Sequence, residues 1–296
     1  MSTLVKTRMS ISLKNYLVIV ISLFSLPVFA FAQSVRLGQV ALSFYAVTGG
    51  IVQHVLESEG YKVEVIEGSH ADIYPKVGTG EVDILAASWL PNAHAELYSK
   101  VAADVFKLCK LYDQAKLYWA VPSYIPSSEV STVSDLLKPE VMTRMPTTIV
   151  TLPESTGLTI LSRKVLQSYG LDTAGYRLTP TTPKAWYGNF KSHYDEKKWL
   201  IFPLWQPQWI NAAYELRVLQ EPKQIFGEDS AYLIANNRLK GKISPKAIKH
   251  LGNIQLSVAD ITEMDLIMNV HNLTAREAAE RWIASHQDQV EKWKSQ

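Results

Sequence analysis

Apolar residues in this chain come in short runs, separated by stretches in which they recur at helical spacing. Residues 34–42 read as a strand, with Ser43, Phe44 and Tyr45 at its end. Over 46–58 the apolar positions Val47, Ile51, Val55 and Leu56 are spaced for a helix, which Gly60 stops. Residues 61–66 alternate as a second strand, 71–79 form a short helix closed by Gly80, and 82–87 form a third strand. The resulting β-α-β-α-β order predicts a parallel sheet with crossover helices.

A second set begins near Leu117. It holds a short capped helix at 133–137, a strand at 147–152, a helix at 156–169 ended by Gly170, and a strand at 176–178. A helix at 183–194 opens on proline in its first turn, and a strand at 200–204 leads to Trp205. The alternation predicts a second α/β lobe. From Ser244 onward the pattern is helical: Ser244-Pro245 starts one helix, 258–269 makes another, and Thr274-Ala275-Arg276-Glu277 is a capping box that opens a third. Trp282 and Trp293 in that tail read as packing residues, as do Trp119 and Trp199.

Two of the apolar runs end alike, in Trp89-Leu90-Pro91 and Trp205-Gln206-Pro207. Proline fixes its own φ and biases its predecessor toward extended geometry, so the chain is expected to turn just past each tryptophan. Each ring is thereby held at the carboxyl end of a strand, where open α/β sheets place ligands. Phe44, Tyr45, Trp186 and Trp209 fall on the same predicted side. Aromatic faces attract cations without a carboxylate, at roughly 0.5–2 kcal/mol per ring once water is excluded.

The first 32 residues change the picture of where this happens. Lys6, Arg8 and Lys14 precede an apolar stretch over 16–29, and Ala30-Phe31-Ala32 supplies a small-x-small pattern, so a signal peptide cut after Ala32 is expected. The chain has 30 basic and 28 acidic residues, and the three basic ones in the leader leave 27 against 28 from residue 33 onward. That balance disfavours nucleic acid as a partner. Cys109 is the one cysteine and reads as a structural thiol.

Enzyme signatures fail: there is no G-x-S-x-G elbow, no phosphate loop and no G-x-G-x-x-G. The seven histidines (His54, His70, His94, His193, His250, His271 and His286) have no metal-ligand spacing and read as surface or capping residues. No catalytic residue, metal or cofactor is expected.

These residues resemble the substrate-binding proteins of glycine betaine/proline betaine ABC transporters over nearly the whole chain after the leader. The resemblance is carried by Gly80-Glu81-Val82-Asp83-Ile84 before Trp89-Leu90-Pro91, by Trp205-Gln206-Pro207-Gln208-Trp209 with Tyr214-Glu215-Leu216-Arg217-Val218-Leu219 and Glu221-Pro222, by Pro153-Glu154-Ser155-Thr156-Gly157 before Tyr169-Gly170-Leu171, and by Ala278-Ala279-Glu280-Arg281-Trp282. It implies a two-lobe type II periplasmic-binding fold, each lobe a mainly parallel sheet flanked by helices, with a helical C-terminal tail. The lobe boundaries are expected at 33–117 and 118–221, with 222–296 returning to the first lobe.

The same resemblance implies closure around a small quaternary ammonium compound, glycine betaine foremost, and delivery to a membrane permease driven by an ATPase. Such a protein would be periplasmic, and we take it as a monomer. Trp89 and Trp205 match two cage tryptophans of the family. Thr156 stands where a third is common, Gly157 and Leu158 match the backbone N–H groups of the carboxylate site, and Gln208 replaces a frequent histidine. Phe44, Tyr45 or Trp186 could supply the missing ring face. Two alternatives stay open: the same fold binding choline, carnitine, proline betaine or another osmolyte, and an enzyme or sensor on this scaffold.

Overall fold

The computed structural model describes residues 1–3 and 33–295, so the expected signal peptide lies almost wholly outside the described residues. No helix among the described residues is long and apolar enough to cross a membrane.

The first half of the chain runs β1 (Ser34–Val40), α1 (Ser43–Ser58), β2 (Lys62–Gly68), α2 (His70–Thr79), β3 (Ile84–Leu90), α3 (Ala95–Ser99) and β4 (Val105–Pro122). There follow a turn of helix at Val133–Leu137, α4 (Pro139–Met142), β5 (Thr148–Thr151), α5 (Gly157–Ser168), β6 (Arg177–Pro180), α6 (Pro183–Asp195), β7 (Phe202–Gln206), α7 (Ile210–Ala213) and β8 (Leu216–Val218). The last part holds β9 (Asp229–Asn236), α8 (Pro245–Gly252), α9 (Val258–His271), α10 (Ala275–Ser285) and α11 (Gln287–Ser295).

Two lobes result, joined by strands that sequence periodicity does not announce. In the first lobe the strand order is β2-β1-β3-β9-β4, with β1 parallel to both β2 and β3. Strand β4 is 18 residues long and belongs to both lobes: through Ala115 it pairs with β9, and from Lys116 with β7 and then β8. All of these pairings, and β3 with β9, are antiparallel. In the second lobe β5 and β6 form a separate parallel pair. Each lobe is thus mixed rather than mainly parallel, because β9 runs opposite to its neighbours β3 and β4, and β4 runs opposite to β7 and β8.

Local chemistry explains most boundaries. The Ser69, Thr156, Thr182, Ser244, Ser257 and Thr274 side chains each accept a backbone N–H at the start of their helices. The expected box at Thr274 is formed: Thr274 Oγ1 accepts from Glu277 N at 3.2 Å, and Glu277 Oε2 accepts from Thr274 N at 2.8 Å. Helix α1 is buried over most of its surface because it lies between the β1–β3 sheet and helices α9 and α10. Gly50 permits that approach, since a Cβ there would come within 2.8 Å of Ala279 Cβ. Trp119, Trp282 and Trp293 are buried, as expected of packing residues. Trp199 lies outside any strand, half-buried, with the Arg144 guanidinium 3.7 Å from its ring centre.

Candidate functional site

The ends of β1, β3 and β7 meet where the two lobes face each other. Trp89 is the penultimate residue of β3 and Trp205 lies in β7, so both rings belong to the strands themselves and the chain turns only after Pro91 and Pro207. Both X-Pro bonds are cis. Phe44, in the first turn of α1, stands between them, its ring centre 5.5 Å from that of Trp89 and 5.6 Å from that of Trp205. Tyr45 lies 4.0 Å from Phe44 and 6.1 Å from Trp89. Four of the aromatic candidates therefore form one wall.

Trp186 takes a different place. Its ring stacks on the far side of the cluster, 5.0 Å from Trp205 and 4.6 Å from Phe202, and its Nε1 donates to Pro203 O at 3.1 Å. Phe190 extends this stack beyond Phe202 at 4.2 Å. Trp186 thus backs Trp205. Together with Gln208 and Trp209 it lines an adjoining cavity on the other side of that ring.

A hydrogen bond fixes the Trp89 ring but not the Trp205 ring. Trp89 Nε1 donates to Tyr112 Oη at 2.9 Å, and its backbone N–H donates to His94 Nδ1 at 2.9 Å. His94 Nδ1 is therefore the acceptor nitrogen and Nε2 carries the proton, 3.4 Å from Tyr45 Oη. The loop after Trp89 is held by Asp229, whose carboxylate accepts from Asn92 N at 2.6 Å and Ala93 N at 3.0 Å. Trp205 Nε1, by contrast, is buried without a partner, as are His70 Nε2 and Gln208 Oε1. These are three of the five such atoms among the described residues: His70 and Trp205 border the cleft, and Gln208 borders the cavity behind Trp205.

The opposite wall is the start of α5. Thr156 caps it: Thr156 Oγ1 donates to Pro153 O at 2.8 Å and accepts from Thr159 N at 3.4 Å. Ile160 N bonds Thr156 O. The N–H groups of Gly157 and Leu158 are left without an acceptor among the described residues, as expected for the first turn of a helix, and both residues border the same cavity as the aromatic wall. Helix N-termini favour anions.

Burial opposes charge on the phenols and imidazoles of this site. Desolvation pushes the Tyr45, Tyr74 and Tyr112 phenols up, holds the His70 imidazole down at about 4, and lowers that of His94. The Asp229 carboxyl is raised by burial against the hydrogen bonds that favour its charge. Among the described residues no group of three or more His, Cys, Asp or Glu could hold a metal. An aromatic wall without cations, facing unbonded N–H groups, suits a ligand with a positive and a negative end.

The cavity between the walls is about 20 Å³. That is room for about one water, so any larger occupant requires the rings to part. The lobes are also in close contact: a Cβ on Gly157 would lie 2.7 Å from Ala93 O and 2.8 Å from Ala93 Cβ across the cleft. Gly157→Ala is expected to prop the lobes apart, at about 1–3 kcal/mol of overpacking. A larger radius of gyration in solution scattering would show this, and identical scattering would contradict it.

Sequence reasoning missed His70, His94, Asp229 and Asp265. Both histidines are buried at the cleft rather than on the surface, His70 two residues after the end of β2 and His94 four residues after the end of β3. Asp265 on α9 is fully buried and reaches the second lobe, accepting from Trp209 N at 2.9 Å.

The protein-family model for the substrate binding domain of ABC-type glycine betaine transport systems, OpuAC, matches residues 33–285. The chain belongs to this family. OpuAC-type domains bind solutes for transport and are not enzymes. Among solved structures, lactococcal OpuAC in its closed-liganded conformation with glycine betaine is 26% identical, superposes with a TM-score of 0.78, and covers 88% of this chain and 99% of that one. A choline binding protein of an ABC transporter in complex with choline shares the fold, at a TM-score of 0.78 and 16% identity over 88% of this chain and 91% of that one. The glycine betaine/carnitine transport binding protein GbuC of Listeria monocytogenes is 25% identical over 147 residues, which is 49% of this chain and 48% of that protein's length.

Proposed function

We propose that this chain is the solute-binding component of an ABC importer and takes up a small quaternary ammonium compound, glycine betaine foremost. The observation that carries this reading is the packing of Trp89, Phe44, Tyr45 and Trp205 opposite the unbonded N–H groups of Gly157 and Leu158. A trimethylammonium group neither donates nor accepts an ordinary hydrogen bond, so ring faces are its natural contacts. At roughly 0.5–2 kcal/mol per ring, four rings supply a large part of the ~8 kcal/mol behind a micromolar dissociation constant. The carboxylate then lies at the α5 N-terminus, and Gln208 and Trp186 act from behind Trp205.

In this reading lobe one comprises 33–117 together with 222–296, and lobe two 118–221. Closure around the ligand presents the protein to a membrane permease driven by an ATPase. The leader over 1–32 would direct the chain to the periplasm. Mass spectrometry of the purified protein tests the reading without choosing a ligand in advance. A stoichiometric quaternary ammonium compound, released intact on denaturation, is the expected result. Recovery of a chemically altered ligand, or of one lacking a quaternary centre, would overturn it.

A further inference from the structure

Asp265 ties together two of the segments that carry the aromatic wall. It lies on α9 and is fully buried. Its Oδ2 accepts from Trp209 N at 2.9 Å, its Oδ1 accepts from Asn269 Nδ2 at 2.9 Å, and the Ser43 side chain donates to the same carboxyl group. Ser43 immediately precedes Phe44 and Tyr45 at the start of α1, and Trp209 stands four residues after Trp205. In the lobe division proposed above, Ser43, Asp265 and Asn269 belong to lobe one and Trp209 to lobe two. None of the three donors is a cation, so the carboxylate depends on each of them: a buried charge that loses its hydrogen bonds is costly. Ser43, Asn269 and Trp209 also border the cavity of about 380 Å³ behind Trp205. Its walls come from both lobes, so its width follows their separation.

We propose that Asp265 is a positioning residue for ligand binding: its carboxyl group joins the start of α1 to the segment after Trp205 and so holds the lobes in the closed arrangement. The inference rests on the cage reading above and adds to it the group that keeps the cage shut. The consequence of losing the acceptor is asymmetric. With the lobes closed, Trp209 N would be left without a partner; with the lobes open, water takes its place. The closed arrangement alone is penalised, and a donor left unpaired costs more than a made hydrogen bond contributes. A ligand held by the closed protein then loses apparent affinity as the closed fraction falls. Encounter takes place with the lobes open, so the loss falls on the dissociation rate and not on association.

Asp265→Asn and Asp265→Leu are both uncharged and close in size to the wild-type side chain, and they differ in the acceptor. Urea unfolding establishes that each variant is folded. Stopped-flow tryptophan fluorescence then measures kon and koff for whichever of glycine betaine, proline betaine, choline and carnitine binds the wild-type protein most tightly. Asp265→Leu is expected to raise koff about 10-fold or more over Asp265→Asn, with kon alike within about 3-fold. Asp265→Asn, which keeps an acceptor for Trp209 N, should stay within about 3-fold of wild type in both constants. Equal koff in the two folded variants, or a loss confined to kon, would overturn the inference and leave the cage reading standing. Should Asp265→Leu fail to fold, Ser43→Ala decides in its place, because it removes the arm to α1: a raised koff supports the proposal and an unchanged one overturns it. Failure of all four compounds to bind the wild-type protein would remove the cage reading itself.

Discussion

Trp205→Ala should weaken binding of a quaternary ammonium ligand by about 1–3 kcal/mol, roughly 5- to 150-fold, and Trp89→Ala by at least as much. The two variants should differ in stability. Trp89 is anchored by Tyr112 and by His94 and sits almost fully buried in the sheet, so its removal leaves a cavity and an unpaired Tyr112 hydroxyl. Truncation of such a residue costs about 3–5 kcal/mol. Trp205 has no hydrogen bond to lose through Nε1, and Trp186 stacks behind it at 5.0 Å, ready to cover part of the gap. Titration and urea unfolding of both variants would separate these effects. Loss of stability without loss of affinity in either would make that ring a core residue only.

Asp265 should make stability depend on pH in a direction opposite to that of most carboxylates. Burial raises its carboxyl from the ordinary 3.8 to about 6, against hydrogen bonds from the Ser43 side chain, Trp209 N and Asn269 that favour the charged form. Between about pH 4 and pH 6 the folded chain therefore holds this proton while the unfolded chain has released it. Stability from this group is fully present below the unfolded value and is lost as pH rises through the folded one. The loss amounts to about 3 kcal/mol, at 1.36 kcal/mol per pH unit. Asp265→Asn should remove it while keeping an acceptor for Trp209 N. The difference in unfolding free energy between variant and wild type, measured in urea at pH 4, 5, 6 and 7, should grow in the variant's favour across that window. A difference independent of pH would contradict the account.

The tryptophans were legible because proline marks the end of each run, and the capping boxes because their chemistry is local. The strand β4 was legible only from Leu117 onward. Its first half, where Lys107, Lys110 and Asp113 interrupt the apolar pattern, is a strand because β9 pairs with it from more than a hundred residues away. Strand β9 is hidden for the same reason. The position of Trp186 after β6 is legible in the sequence, but only the packing of Phe202 and Trp205 decides that it stands behind the wall. His70 draws its interest from burial, Asp229 and Asp265 from burial and from partners in distant segments, and none of the three has a local signature.

The central claim is that an aromatic cleft in this chain closes on a small quaternary ammonium compound. Calorimetric titration of the protein from residue 33 onward with glycine betaine, proline betaine, choline and carnitine tests it most directly. The account predicts stoichiometric binding of at least one of the four, weakened in Trp205→Ala. Absence of heat of binding with all four, from a protein that unfolds cooperatively, would contradict it.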